Sequence, residues 1–180
     1  MTGSETVATK VRGARPWARW AGGAPIPPRA SVRAILLAGF GGFVAIGLLA
    51  ALAGATGTAL VLGSFGASCV LVFGFPDVPF SQPRNVVVGH VLSSAIGLAV
   101  IGLFGAQWWA AGLATGLAIA AMMATRTVHP PAGSNPVIVF LGHPSWAFLV
   151  VPTLAGALLL VAVALVWHTT TRTETWPKYW

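Results

Sequence analysis

Three long apolar runs divide the chain. Residues 34–76, 85–125 and 127–171 contain no Asp, Glu, Lys or Arg, and each run is a little over 40 residues long. A helix needs about 20 residues to cross the hydrocarbon core of a bilayer, so each run has room for a hairpin of two helices. The pattern predicts helices over residues 31–53 and 56–73, then over 85–104 and 107–128. In the third run it predicts a short helical piece over 136–142 and a full-length helix over 146–168. The expected fold is all-α, a polytopic transmembrane bundle of five to six helices, with short or broken half-helices near residues 63–68 and 129–142. The breaks at "AGATG" (53–57) and "FGAQ" (104–107) are tight and uncharged. Glycines at 39, 41, 42 and 47 in the first helix, and at 112 and 116 in the fourth, let neighbouring backbones approach closely.

Composition agrees with a lipid environment. Of 180 residues 56% are hydrophobic and 7% are charged, with mean hydropathy +0.83, whereas a soluble domain carries about 25% charged residues. The expected organisation is a basic cytoplasmic tail (1–30), one transmembrane domain (31–168) and a short polar tail (169–180). The first thirty residues lack an apolar core and do not read as a secretory signal. The single cysteine, Cys69, lies in an apolar stretch and permits no internal disulfide.

Charge gives the sidedness. Lys+Arg total 10 against 3 Asp+Glu, and Lys10, Arg12, Arg15, Arg19, Arg29 and Arg33 all precede the first apolar run. That position suits a tail facing lipid headgroups under the positive-inside rule, rather than a nucleic-acid arm. Tight hairpins would gather this tail, residues 77–84, Arg126 and residues 172–178 on one face. Both termini are then expected in the cytoplasm of a bacterial inner membrane. A re-entrant piece at 136–142 would instead leave five spans and put the C-terminus outside. Trp108, Trp109 and Trp146 fall at predicted helix ends on the uncharged side, where aromatic rings favour the headgroup zone.

Against this background four polar features stand out. "GSFGAS" (63–68) weakens the second helix and brings Ser68. "FPDVPFSQPRN" (75–85) is a proline-punctuated link with Asp77, Gln82, Arg84 and Asn85. "GHVLSS" (89–94) sets His90 and Ser94 one turn apart. "RTVHPPAGSNPVIVFLGHP" (126–144) ends the fourth helix near Val128 or His129, because tandem prolines remove backbone donors. Asn135 is expected as the N-cap of a new short helix with Pro136 in its first turn. "GSFGASCVLVFGFP" and "AGSNPVIVFLGHP" resemble one another weakly, so two half-helix starts could face each other. The N–H groups and dipole of such starts favour negative charge.

Each residue also has a plainer reading. Arg84 either pairs with Asp77 or meets a substrate. Arg126 reads foremost as a positive-inside anchor. His90 is a packed core histidine or a ligand, and His129 a cap for the fourth helix or a ligand. His143 and His168 read as interfacial. Ser68 and Asn135 could cap helices and nothing more.

The motifs "HPPAGSNP" (129–136), "GAS" (66–68), "QPRN" (82–85) and "GHVLSS" together resemble the HPP family of integral membrane proteins, from about Arg33 to His168. Plastid and cyanobacterial members are associated with nitrite transport, so the resemblance implies passage of a small anion. The residues expected to meet it are Ser68, Gln82, Arg84, Asn85, His90, His129, Ser134 and Asn135. No cofactor or metal is expected: the chain has no HExxH and no Cys/His set at ligand spacing. An intramembrane enzyme is disfavoured on the same ground. A structural or sensory membrane protein, and a carrier of another small ion, remain as alternatives. The small size of the bundle suggests a homo-oligomer in the bilayer.

Overall fold

The computed structural model describes residues 24–180. The tail cations Lys10, Arg12, Arg15 and Arg19 lie outside the described residues. Residues 31–180 form one compact unit, and its six helices are α1 (Val32–Thr56), α2 (Gly63–Gly74), α3 (Pro83–Phe104), α4 (Trp108–Ala124), α5 (Asn135–Gly142) and α6 (Ala155–Thr171). Three stretches are long and apolar enough to cross a membrane: Val32–Thr56, Pro83–Phe104 and Leu149–Thr171.

Local chemistry sets the helix ends. Ser31 caps α1 by accepting the Ala34 N–H at 3.2 Å, and Gly57 closes it in the left-handed region at φ 66°. The second helix begins seven residues later than the pattern predicts (56 to 63). Thr56 ties back to the Leu52 carbonyl at 2.7 Å and Gly57 turns the chain, so residues 57–62 run outside helical structure. α4 likewise stops at Ala124, four residues short of Val128. The Thr125 hydroxyl donates to the Ala121 carbonyl at 2.8 Å, and Arg126 adopts φ 57°. A tight 3-10 turn, Pro130–Ser134, then leads into α5. The last apolar helix is also interrupted. Residues Leu149–Leu154 form a wider turn in which Val151 is extended ahead of Pro152, and regular helix resumes at Ala155.

The chain passes six times between the two ends of the bundle. Arg33, at the start of α1, shares a cleft with Thr171 and Arg172 at the end of α6. Pro76, just after α2, lines a cleft with Ala34 and Arg172. Arg84, at the start of α3, donates to the Thr125 carbonyl after α4 at 3.2 Å. The start of α1 and the segment after α6 therefore lie at one end, with the 75–82 link and Arg126. This gathering at one end is what the even-span alternative expects. The second and fifth passes are each part extended and part helix, and they are the "GSFGAS" and "HPPAGSN" segments. The halves α1–α3 and α4–α6 thus share one order, with a short helix between two longer ones, and run in opposite directions. Inverted repeats with broken helices are a recurrent plan of membrane carriers.

Close backbone contact holds the short helices in place. A Cβ on Gly97 of α3 would meet Pro136 Cα at 3.0 Å, so α5 lies against α3 backbone. On α6, a Cβ at Gly156 would meet the Leu60 carbonyl at 2.7 Å and the Phe65 ring. Each short helix is therefore seated by a glycine on the closing helix of the opposite half. α1 is more loosely held. It buries only Gly41, Ala45 and Leu49, a one-turn stripe, while Phe40 and Phe43 face outward.

Two outcomes test this arrangement. Gly156→Ala should cost about 1–3 kcal/mol of stability through overpacking, whereas Gly116→Ala, with nothing near its Cβ, should be neutral or slightly stabilising. Thermal unfolding in detergent compares them. In a Cys69→Ala background, cysteines introduced at Ser31 and Thr175 should label from the same side of sealed membranes with an impermeant thiol reagent. Labelling from opposite sides would refute six passes.

Candidate functional site

At mid-bundle, polar side chains that sequence places on separate elements meet in one hydrogen-bonded chain. Ser68 comes from α2, His90 and Ser94 from α3, His129 from the segment ahead of the proline pair, Asn135 from the first residue of α5, and Thr153 from the turn before α6. All six are fully buried. An unpaired buried polar group costs about 1–3 kcal/mol, and all but one of the cluster's side-chain polar atoms, Asn135 Oδ1, find a partner.

The partners fix the direction of most of the bonds. His129 Nδ1 lies 2.6 Å from the Phe80 carbonyl, which only accepts. Nδ1 therefore carries the proton, and neutral His129 offers Nε2 as an acceptor. Ser68 Oγ, 2.8 Å from that Nε2, donates to it. At the other side, the Asn135 amide nitrogen reaches the His90 backbone carbonyl at 3.2 Å, which fixes the amide orientation. Its two hydrogens serve that carbonyl, His90 Nδ1 at 3.0 Å and Ser94 Oγ at 2.9 Å, with the hydrogen on the His90 side shared between the carbonyl and Nδ1. His90 is therefore protonated on Nε2, and it donates to Ser68 Oγ at 2.9 Å. Ser94 and Thr153 hydroxyls meet at 3.2 Å and extend the chain to α6. The His90 and His129 rings pack edge to face, with centroids 5.0 Å apart.

Glycine makes this meeting possible. A Cβ on Gly89 would stand 3.0 Å from the Thr127 carbonyl and 2.9 Å from His129 Cβ. The "GH" of "GHVLSS" thus admits the incoming chain with one residue and binds it with the next. Ser93 adds a bond to the Ala132 carbonyl at 2.6 Å, which anchors the proline turn on α3.

Four of the eight expected site residues, Ser68, His90, His129 and Asn135, are joined directly. The other four lie apart. Gln82 is buried and donates to the Pro76 and Val78 carbonyls, folding the 75–82 link over its own side chain. Asn85 donates to the Val128 carbonyl at 2.9 Å and so fixes the approach to His129. Arg84 is exposed and holds the Thr125 carbonyl, not Asp77. Ser134 donates to the Pro131 carbonyl and stabilises the 3-10 turn. Asn135 is not an N-cap: it has helical backbone angles at the start of α5, and its amide serves the cluster instead. Ser68 sits one turn inside α2 and caps nothing, and His129 binds Phe80 rather than capping α4. His168, expected at the interface, is buried and meets the Val72 carbonyl at 3.0 Å. His143 is exposed after α5.

Sequence reasoning left out Thr153, Ser64 and the Phe80 carbonyl. Ser64 Oγ and Asn135 Oδ1 are buried without a protein partner. The serine was already visible in "GSFGAS"; Thr153 stood inside an apolar run and gave only its neighbour Pro152 as a signal.

The C-terminal segment covers the charged end of this region. Arg172 bonds Asp77 at 2.7 Å and Glu174 at 2.9 Å, and Lys178 Nζ lies 3.3 Å from Asp77. The Lys178 amide donates to Gln82 Oε1 at 2.8 Å, and the Tyr179 hydroxyl meets Asn85 Oδ1 at 3.3 Å. Trp176 is buried against His168. Two of the expected substrate residues are thereby engaged by the tail.

Sequence comparison agrees with this arrangement. The family model described as "HPP, transmembrane region" matches residues 27–177. The chain belongs to the HPP family. This HPP chain is 34% identical, over 90% of its length, to one transmembrane protein of Dictyostelium discoideum, and 37% identical, over 67% of its length, to another. It spans 56% and 45% of those two relatives, about half their length. No solved structure matches it. An HPP member built of apolar helices is a membrane protein.

The tail makes a pH-dependent prediction. Partial burial pushes the Asp77 carboxyl up, but hydrogen bonds and charge from Arg172 and Lys178 outweigh it and hold the group below its ordinary 3.8. A depressed carboxylate stabilises the docked tail fully above 3.8, and that contribution is lost as pH falls through the lowered value. Hydrogen exchange at the Lys178 amide should therefore gain protection-loss only on acidification below that point. Asp77→Asn should speed trypsin cleavage after Arg172 several-fold at neutral pH. Equal cleavage in both proteins would show that the ion pair does not hold the tail.

Proposed function

We propose that this protein is a permease for a small monovalent anion, with nitrite the leading substrate. The observation that carries the reading is the fully buried polar chain at the point where both discontinuous passes meet α3. Polar groups at membrane depth are costly, face the bundle interior and mark ion pathways. Non-helical backbone at that depth is tolerated only inside protein or beside a water-filled path. The groups there suit an anion: the Ser64 hydroxyl is a buried donor without a partner, and the His90 Nε2–H and the Asn135 amide are donors that would exchange their present partners for the anion. No Asp or Glu lies between residues 78 and 171 to attract a cation. Arg84 and Arg126 stand at the charged end, where they would draw anions toward the path, and that end is read as cytoplasmic under the positive-inside rule. We assign the protein to a homo-oligomer in the bilayer on the ground of its small bundle.

One geometric fact favours a second reading, an intramembrane hydrolase. Ser68 Oγ, His129 Nε2 and the carbonyl that orients His129 have the order of a nucleophile, a base and its orienting group. The His90 Nε2–H, however, donates to the same Ser68 oxygen and occupies a lone pair that a nucleophile would use. Covalent labelling of Ser68 by a fluorophosphonate would favour hydrolysis; an unmodified Ser68 favours transport.

Flux in liposomes holding only this protein tests the proposal, with nitrite, nitrate, formate and chloride compared. Removing a hydrogen bond to a charged partner costs about 1.5–3 kcal/mol, and each 1.4 kcal/mol is about tenfold. Asn135→Leu and Ser68→Ala should thus each cut nitrite flux roughly tenfold or more. Full flux from a folded Asn135→Leu protein would remove the cluster from the path.

A further inference from the structure

The hydrogen-bond chain accepts one more proton at a single place. Suppose a proton adds to His90 Nδ1. It would then face the Asn135 N–H, donor against donor, and turning the amide over would set its oxygen against the His90 carbonyl. His90 is therefore closed to protonation. At His129 the outcome differs. A proton on Nε2 donates to Ser68 Oγ across the same 2.8 Å. The Ser68 hydroxyl hydrogen then turns to the Ser64 carbonyl, which already lies 3.2 Å away. Ser68 would accept from both imidazoles and donate to Ser64, while His129 Nδ1 keeps its bond to Phe80. Every polar atom that was satisfied stays satisfied, and only one hydroxyl rotates.

Charge decides when that second arrangement fills. The titratable or charged groups on the elements packed around His129 are Cys69 on α2, Arg84 and His90 on α3, Arg126 on its own segment, and His168 on α6. In the adjoining link and tail stand Asp77, Arg172, Glu174, Lys178 and Tyr179. Asp77 is engaged by Arg172 and Lys178. No carboxylate of α1–α6 is present to balance an imidazolium. A lone charge in a dry interior is strongly disfavoured, so a protonated His129 without a counter-ion is costly. An anion alone at mid-bundle is costly for the same reason. Together they are neutral.

We propose that His129 is a proton-binding site and that proton and anion cross together, making the protein an electroneutral symporter. This rests on the permease reading. In the step, an O–H bond of a hydronium that enters with the anion from one side breaks as an N–H bond forms at His129 Nε2. The N–H bond breaks as both leave on the other side, where the proton returns to water, so one proton and one negative charge move and no net charge is transferred. Because His90 Nε2 already carries hydrogen, Ser68 cannot pass a proton onward to it. The site therefore stores a proton rather than conducting one.

The test uses the full chain in phosphatidylcholine vesicles that enclose a pH dye. Sodium nitrite or sodium nitrate is added outside with equal pH on both sides, and protein-free vesicles correct for passive entry of nitrous acid. The expected result is interior acidification of one proton per anion, unchanged when potassium and valinomycin clamp the voltage. His90→Gln should slow flux and keep that ratio. His129→Gln should lower proton movement by about tenfold or more, since glutamine does not titrate. If His129→Gln does not fold, the wild-type ratio decides alone. Anion flux that carries current and leaves interior pH constant overturns the coupling and leaves the permease reading standing. Absence of both anion fluxes from vesicles holding folded protein overturns both.

Discussion

The Ser68 hydroxyl is the joint on which the bundle's interior depends. From α2 it links His90 of α3 with His129 of the returning chain. A hydroxyl suits this place because it donates once and accepts twice. An alanine would leave two imidazole nitrogens without partners in an apolar surrounding, and a cysteine would offer a weaker donor. The three glycines at 89, 97 and 156 serve the same meeting from the backbone side. They allow the two discontinuous passes to come close enough for side chains as short as serine and asparagine to reach across.

That arrangement explains why the interruptions exist. In a continuous helix, residues 57–62 and 125–134 would keep their own carbonyls occupied. Their departure from helix leaves the Val128 and Ala132 carbonyls to be met by Asn85 and Ser93 of α3, while Gly89 leaves room for the Thr127 carbonyl to come close. The proline pair enforces the break at one site, and the Gly57 turn enforces it at the other. Both solutions place a helix start inside the bundle and a helix end near its rim.

Much of this was legible in the chain itself. Ser68, His90, His129 and Asn135 were conspicuous because polar groups inside apolar runs have few tolerable roles. The all-helical bundle followed from the same contrast, and the family from the resemblance carried by the motifs at 66–68, 82–85, 89–94 and 129–136. Helix limits were read less well. Arg126 turns into the left-handed region at φ 57° and ends α4 early, and nothing in residue-type periodicity marks that choice. The local partners of the link residues were not legible for a related reason. Gln82 and Ser134 looked chemical because they were polar, yet their side chains hold local carbonyls in place. Arg84 and Asp77 were close in sequence, but Arg172 from the far end of the chain takes the carboxylate. Long-range partners of that kind carry no signature in a single sequence.

The opposed direction of the two halves bears on how the chain enters a membrane. One three-helix half must insert in the reverse sense of the other, although their apolar content is alike. The turns at 57–62, 105–107 and 143–148 carry no Lys, Arg, Asp or Glu, so each can be translocated without dragging a formal charge through lipid. Under the positive-inside rule, the cations at the other end would act as retention signals for every second turn. Orientation is thus set locally, hairpin by hairpin, and a single lysine grafted into any bare turn would set translocation of that turn against retention of its neighbours.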